Sequence, residues 1–180
     1  MGAKIRSYPS LNARGFTLIE LLIAMVLIGV MSSMAMLAMG NADHSQQQQL
    51  EIQRLEKLLA LAEQEAMIRG ETIGLELVGQ GYRFLSPNQG KWQPETGDAL
   101  FRQRDLPAGM RLALSMDEKP VYLPNRFGGQ VHPEPQIVFT PDGASAVFQI
   151  ALDLAKSDLR FWLSNTAEEG LAVSSVAIKP

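Results

Sequence analysis

From Phe16 to Gly40 the chain is almost entirely Leu, Ile, Val, Met, Ala and Gly, and Glu20 is its only charged residue. About 18 or more consecutive residues of this kind can cross a bilayer as a helix, at roughly 1.5 Å per residue. A carboxylate inside such a run costs on the order of 2.5–3.5 kcal/mol at the helix centre, so it requires a function. Here it stands near the start of the run, where the positive end of the helix dipole lowers that cost. Lys4, Arg6 and Arg14 precede the run, and no Asp or Glu occurs before Glu20. The positive-inside rule then keeps the first fifteen residues in the cytoplasm and exports everything after Gly40. A secretory signal peptide is the rival reading, with Ala38-Met39-Gly40 as a weak cleavage site. The apolar run, however, far exceeds the roughly 7–15 residues of such a signal, and it carries an acid.

The segment Arg14-Gly15-Phe16-Thr17-Leu18-Ile19-Glu20, followed by an apolar helix, resembles the class III leader of type IV prepilins and type II secretion pseudopilins. The resemblance implies cleavage between Gly15 and Phe16 by a prepilin peptidase, then N-methylation of Phe16. It also gives Glu20 a partner for assembly, the Phe16 amine of a neighbouring subunit. Opposite charges in apolar surroundings attract far more strongly than in water, which makes that pairing physically sensible. Snorkelling of Glu20 to the headgroups is the plain alternative. Gly29 and Ser33, four residues apart, read as tolerated packing with no assigned role. Major pilins and pseudopilins usually carry a proline in this helix, and none occurs between Phe16 and Gly40, which leans towards a minor subunit.

Without leader and span about 140 residues remain, enough for one domain with its own core. After residue 15 the chain holds 13 Lys and Arg against 19 Asp and Glu, a balance of −6. That excess does not favour a nucleic-acid surface, which needs a basic patch. There is no cysteine, so an exported domain must rely on its apolar core alone.

Beyond the span the pattern changes. Asn41 to Gln49 is polar apart from Ala42, with Gln46 to Gln49 a low-complexity patch. Ile52, Leu55, Leu59, Ala62 and Ala66 follow at steps of 3, 4, 3 and 4, an amphipathic stripe that Leu58 and Leu61 widen. Arg69-Gly70 is a helix stop. Asp43-x-x-Gln46 would serve as a fresh N-cap and break the helix, but one helix from about Phe16 to Arg69 is the favoured reading, and the pilin resemblance is what joins its halves.

From Glu71 the chain reads as β. Segments 72–78 and 81–85 flank Gly79-Gln80 as a hairpin. Further strands are expected at 110–114, 136–140, 146–152, 159–164 and 171–178, with Pro141-Asp142-Gly143 as a turn. Met116 to Pro135, with four prolines and Gly128-Gly129, reads as one long loop, either a contact site or a passive connector. The predicted fold is α+β and pilin-like, with a long N-terminal helix packed on antiparallel sheets. Its expected parts are a leader at 1–15, a transmembrane helix at 16–40, an amphipathic continuation at 41–70 and a periplasmic β-domain at 71–180.

Ala66-Met67-Ile68-Arg69-Gly70, Gly81-Tyr82-Arg83-Phe84, Trp92-Gln93-Pro94, Leu106-Pro107 and Ile137-Val138-Phe139 before the Pro141 turn occur in an order that resembles the H-type minor pseudopilin of type II secretion. That family also includes FimT-type minor pilins. Each motif alone has a core or turn explanation, and Trp92 and Trp162 read as core or sheet-surface aromatics rather than ligand platforms. His44 and His132 stand in polar stretches with no nucleophile arranged beside them, and Asp117-Glu118 and Glu168-Glu169 read as solvated pairs. No enzyme, cofactor or metal is expected. The resemblance implies a structural subunit of the type II secretion pseudopilus tip, a single-pass protein of the bacterial inner membrane with its C-terminal domain in the periplasm. Its implied partners are the prepilin peptidase, other minor pseudopilins, the major pseudopilin and the inner-membrane assembly platform, without nucleic acid. The alternative is a FimT-like minor pilin of a type IV pilus, including one used in DNA uptake. From Ile150 onward three basic residues face four acidic ones, which argues against that variant.

Overall fold

A computed structural model describes residues 16–128, 133–144, 146–155 and 157–178, with 35–44 described by backbone alone. The expected leader 1–15, including Gly15, and His132 lie outside the described residues. The chain divides into two compact units, Met1–Gly40 and Asn41–Pro180.

Helix α1 runs from Leu18 to Arg69, so the backbone does not break at Asp43-x-x-Gln46. Its end follows from the sequence: Gly70 takes φ 66°, and the Glu71 N–H reaches back to the Ala66 carbonyl at 3.2 Å. That is a Schellman-type close, which a side chain other than glycine would strain. Arg69 pairs with Glu65 one turn back at 2.6 Å. The expected stripe faces the core, with Ile52, Leu55, Leu59, Ala62 and Ala66 at most 2% exposed.

Two antiparallel sheets receive that stripe. The first holds β1 (Ile73–Val78), β2 (Gly81–Asn88), β3 (Lys91–Pro94) and β7 (Ile137–Phe139) in the order β3-β2-β1-β7, with β4 (Arg104–Asp105) also paired to β2. The second holds β5 (Met110–Met116), β6 (Lys119–Val121), β8 (Phe148–Leu154), β9 (Leu159–Thr166) and β10 (Gly170–Ala177) in the order β10-β9-β8-β5-β6. Alternate residues point inward: Leu75 and Leu77 from β1, Leu112 and Leu114 from β5, Ile150 and Leu152 from β8. The short strands β3, β4 and β6, and a 3₁₀ turn at Ala99–Phe101 capped by Asp98, were not foreseen from the sequence.

The Gly79-Gln80 turn is where the two sheets are stitched. The Gly79 N–H donates to the Pro124 carbonyl at 2.7 Å, the Gly79 carbonyl accepts from Leu112 N at 3.0 Å, and the Gln80 carbonyl accepts from Leu106 N at 2.9 Å. Gly81 follows because β4 passes so close: a Cβ there would stand 2.5 Å from the Arg104 carbonyl oxygen. Pro141-Asp142-Gly143 turns as expected, with Gly143 at φ 76° and its N–H on the Thr140 carbonyl.

The segment expected as one loop from Met116 to Pro135 is corrected in two respects. First, β5 continues through Met116 and turns back at Asp117 and Glu118 (φ 47° and 63°) into β6. Pro120 is tolerated there because β6 is an edge strand, where a missing N–H costs no ladder bond. Second, the described residues of the remainder, 122–128 and 133–135, are not free of the domain: they cover the face of β1 opposite the helix. All six β1 residues are buried. Gln136 accepts the Leu77 N–H at 2.7 Å, and a Cβ on Gly74 would stand 2.7 Å from Pro135 Cβ. Beneath it Glu76 pairs with Arg83 at 2.6 Å, and the Arg83 guanidinium lies 4.6 Å from the centre of the Phe127 ring.

Gln48 departs most from its expected surroundings. It belongs to the polar patch yet is fully buried, and its Nε2 donates to the Leu152 carbonyl at 2.9 Å and the Leu159 carbonyl at 3.2 Å. It thereby fixes the helix to β8 and the start of β9. Replacing Gln48 by Ala leaves those carbonyls without this donor, so unfolding of residues 41–180 in urea should require about 1–3 kcal/mol less. An unchanged midpoint would mean that water replaces the side chain without loss.

Tyr82 is the second buried polar group of note. Its ring meets Phe84 edge-on at 6.4 Å, and its hydroxyl has no hydrogen-bond partner among the described residues. Burial raises its pKa to about 12, so its proton is held more tightly folded than unfolded. Stability from this group is intact below pH about 10 and is lost as pH rises towards 12. Tyr82→Phe should therefore leave stability at neutral pH unchanged or raised, and should flatten the alkaline loss in a pH series of thermal melts. A clear loss at pH 7 would show that the hydroxyl has a partner.

Candidate assembly site

The N-terminal end of α1 is built by its own first turn. Thr17 precedes the helix, and its Oγ1 accepts the Glu20 backbone N–H at 3.4 Å, while its carbonyl accepts the same N–H at 3.1 Å. Thr17-Leu18-Ile19-Glu20 thus has the spacing of a capping box, with Glu20 three residues after the cap. The hydrogen bonds at this turn are made by the Glu20 backbone N–H, and the S/T-x-x-E spacing would let the carboxylate cap in return. The carboxylate sits in the first turn, where the helix dipole favours negative charge. Among the described residues it has no ion-pair partner. Phe16 is 76% exposed beside it, and the apolar side chains from Leu18 to Met34 are exposed likewise. An apolar surface of that extent needs a membrane or other subunits to cover it. Among the described residues no helix is long and apolar enough to cross a membrane; the described apolar side chains stop at Met34. Ser33 turns its hydroxyl back to the Gly29 carbonyl at 2.8 Å, a local bond within the helix.

Two clefts of the β-domain are lined by described residues, and neither brings together a catalytic or metal-binding set. One, of about 570 Å³, lies between the Gly79-Gln80 turn, the stretch Asp105–Gly109 and Asn125–Phe127. The other, of about 360 Å³, lies over the Glu76–Arg83 pair, whose charges already satisfy each other. Among the described residues no three His, Asp or Glu side chains converge as metal ligands. Asp117-Glu118 and Glu168-Glu169 are exposed turn residues. The two tryptophans are sheet-surface aromatics as expected: Trp92 stands beside Gly74 and Pro135, and Trp162 lies 5.5 Å from the Arg160 guanidinium, which is itself paired with Asp153.

Comparison with known proteins places this architecture. A family profile described as the prokaryotic N-terminal methylation motif matches residues 10–36. The type II secretion system protein H of Aeromonas hydrophila is 28% identical over 86% of this chain and 88% of its own length. The protein of the same name from Pseudomonas aeruginosa is 30% identical over 78% of this chain and 83% of its own. Among solved structures, the minor pseudopilin EpsH of the Vibrio cholerae type II secretion system superposes with a TM-score of 0.58 at 17% identity, covering 75% of this chain and 96% of that one. The solution structure of Escherichia coli GspH gives 0.54 at 20% identity, over 77% and 94% of the two chains. These two show a shared pilin-like fold. A second family profile, described as type II transport protein GspH, matches residues 51–174, and the chain therefore belongs to the GspH family.

Proposed function

We propose that this chain is a minor pseudopilin, a structural subunit at the tip of a type II secretion pseudopilus that supports export of folded proteins across the outer membrane. The observation that carries the reading is the pairing of the GspH match over residues 51–174 with the methylation motif over 10–36. Neither curated relative bears a pilus or FimT name, so the DNA-uptake alternative gains nothing from them.

In this reading residues 16–40 anchor the mature chain in the inner membrane as a single span, and the β-domain faces the periplasm. The prepilin peptidase removes residues 1–15, with Gly15 before the cut and Phe16 as the new, N-methylated terminus. Glu20 then meets the Phe16 amine of a neighbour as the subunit joins the pseudopilus on the assembly platform, beside the major and other minor pseudopilins. Desolvation of both charges is costly, and only a close pair offsets it. Mutual satisfaction therefore favours the register in which the two lie side by side.

Processing is tested by mass spectrometry of the protein recovered from membranes, which should begin at N-methylated Phe16. Gly15→Leu should accumulate as full-length precursor. An intact Met1 terminus in working protein, or a new terminus near Gly40, would reject the class III reading.

The two roles open to Glu20 separate by one substitution. Glutamine serves at the third helix position of a capping box as well as glutamate does, but it carries no charge. If the carboxylate pairs with a neighbouring amine, Glu20→Gln should be cleaved and inserted yet lower secretion about as much as Glu20→Ala, by tenfold or more (roughly 1.4 kcal/mol). Normal secretion with Gln and poor secretion with Ala would assign Glu20 to helix capping alone.

A further inference from the structure

Four of the five free or short strands end the sheets in ways that discourage pairing. Strand β6 has three residues, including Lys119 and Pro120; β3 has four and holds Lys91 and Pro94; β7 and β4 have three and two. Charges, prolines and shortness are the usual protections of a sheet edge. Strand β10 has none of them: Gly-Leu-Ala-Val-Ser-Ser-Val-Ala, eight residues long, uncharged and without proline, at the end of the second sheet.

Its register identifies the free groups. The Ile178 N–H donates to the Asp158 carbonyl at 2.7 Å, in line with the pairing of Gly170 with Thr166. In an antiparallel ladder hydrogen-bonded pairs alternate, so the even-numbered residues turn their backbone groups towards β9. Leu171, Val173, Ser175 and Ala177 turn theirs outward, where the described residues supply no backbone partner. The side chains supply an independent observation. Leu171 and Val173 pack against the core, while on the opposite face Val176 is 56% and Ile178 41% exposed, on the same side as the half-buried Trp162 that pairs with Ser174. Free N–H and C=O groups thus run beside exposed apolar side chains, the combination an added strand covers.

We propose that this edge receives an extended segment of a neighbouring pseudopilin, which joins the second sheet as an antiparallel strand. The segment is uncharged where it lies along β10, with apolar side chains at alternate positions beside Val176 and Ile178. It carries a basic residue at its C-terminal end, where antiparallel pairing brings it beside Glu168 and Glu169 in the β9–β10 turn. A second copy of this chain, whose residues 170–179 are uncharged up to Lys179, is the other occupant; self-association of the purified chain alone that Ser175→Pro abolishes would assign the edge to it and overturn the proposal. The inference rests on the reading of the chain as a pseudopilin and adds the surface that reading lacks.

Proline at an outward-facing edge position removes one free N–H and no bond to β9. The full chain is expressed with the other pseudopilins of its system, solubilised in detergent and purified by an affinity tag. Ser175→Pro should melt as wild type but recover its neighbours at least about tenfold less well, while Ser175→Ala, which keeps the N–H, recovers them fully. Ala177→Pro, at the strand end, serves if Ser175→Pro does not fold. Hydrogen exchange on the wild type gives a second readout: the Leu171, Val173 and Ser175 amides should become protected in the complex. Folded proline variants that associate as wild type, or no gain in protection, overturn the proposal alone. A wild-type chain that recovers no pseudopilin overturns the functional reading and this inference with it.

Discussion

Burial of one helix stripe against both sheets is the constraint on which the rest of the β-domain depends. The chain has no disulfide to restrict its unfolded state, so its stability comes from burial. Ile52, Leu55, Leu58 and Leu59 each contribute about 1.5–3 kcal/mol on full burial, and Ala62 and Ala66 let the strands approach the helix closely. Each sheet has only one face covered by this contact. The first sheet therefore needs a second cover, which residues 122–128 and 133–136 provide, and its central strand is buried on both sides. The buried Glu76–Arg83 pair belongs to that covered face. A lone charge there would be costly, and the pair is tolerated because each member has the other at 2.6 Å and Phe127 shields the guanidinium.

What could be read in the sequence was what has a period or a stereochemical necessity. The stripe from Ile52 to Ala66, the stop at Gly70, the hairpin at Gly79-Gln80 and the Pro141 turn are each fixed by neighbouring residues, and all are present. Strands β3, β4 and β6 escaped notice because they are two to four residues long, too short for alternation to register. The cover formed after Val121 was not legible because the prolines forbid regular pairing there, while the cover depends on contacts with β1 and β2, distant in sequence. Gln48 shows the same limit at a single position. Nothing in a run of four glutamines marks one as buried, and only the carbonyls of Leu152 and Leu159 single it out.

At the N-terminal end the case is reversed, since the sequence says more than the folded chain alone can. In the proposed reading Gly15, Phe16 and Glu20 form a processing and assembly signal, whereas the described residues show only the capping turn at Thr17 and an exposed apolar surface. The counter-charge for Glu20 belongs to a neighbour in this reading, so a single chain leaves the carboxylate looking unpaired. Capping and assembly need not compete. A backbone N–H held by Thr17 fixes the first turn, and a fixed first turn holds the carboxylate at one height along the helix for a neighbour to meet.

Such division of labour extends to the sheets. The inward faces are committed to α1, and the outward face of the first sheet is committed to its own covering segment, so neither is free for a neighbour. Of the second sheet, the outward face carries the Asp153–Arg160 pair lying against Trp162, already satisfied, with Val176 and Ile178 exposed beside it next to the free edge. Among the described residues, the surfaces this leaves for a neighbour are the apolar start of α1 and the edge of β10. The first is non-directional and suits lateral packing of helices, whereas a strand edge imposes register and direction through its hydrogen bonds. A low-copy subunit that must occupy one place in a filament needs both kinds of contact. Helix packing alone would let it exchange with any subunit bearing a similar apolar segment, and only a directional contact at the β-domain would tell its neighbours apart.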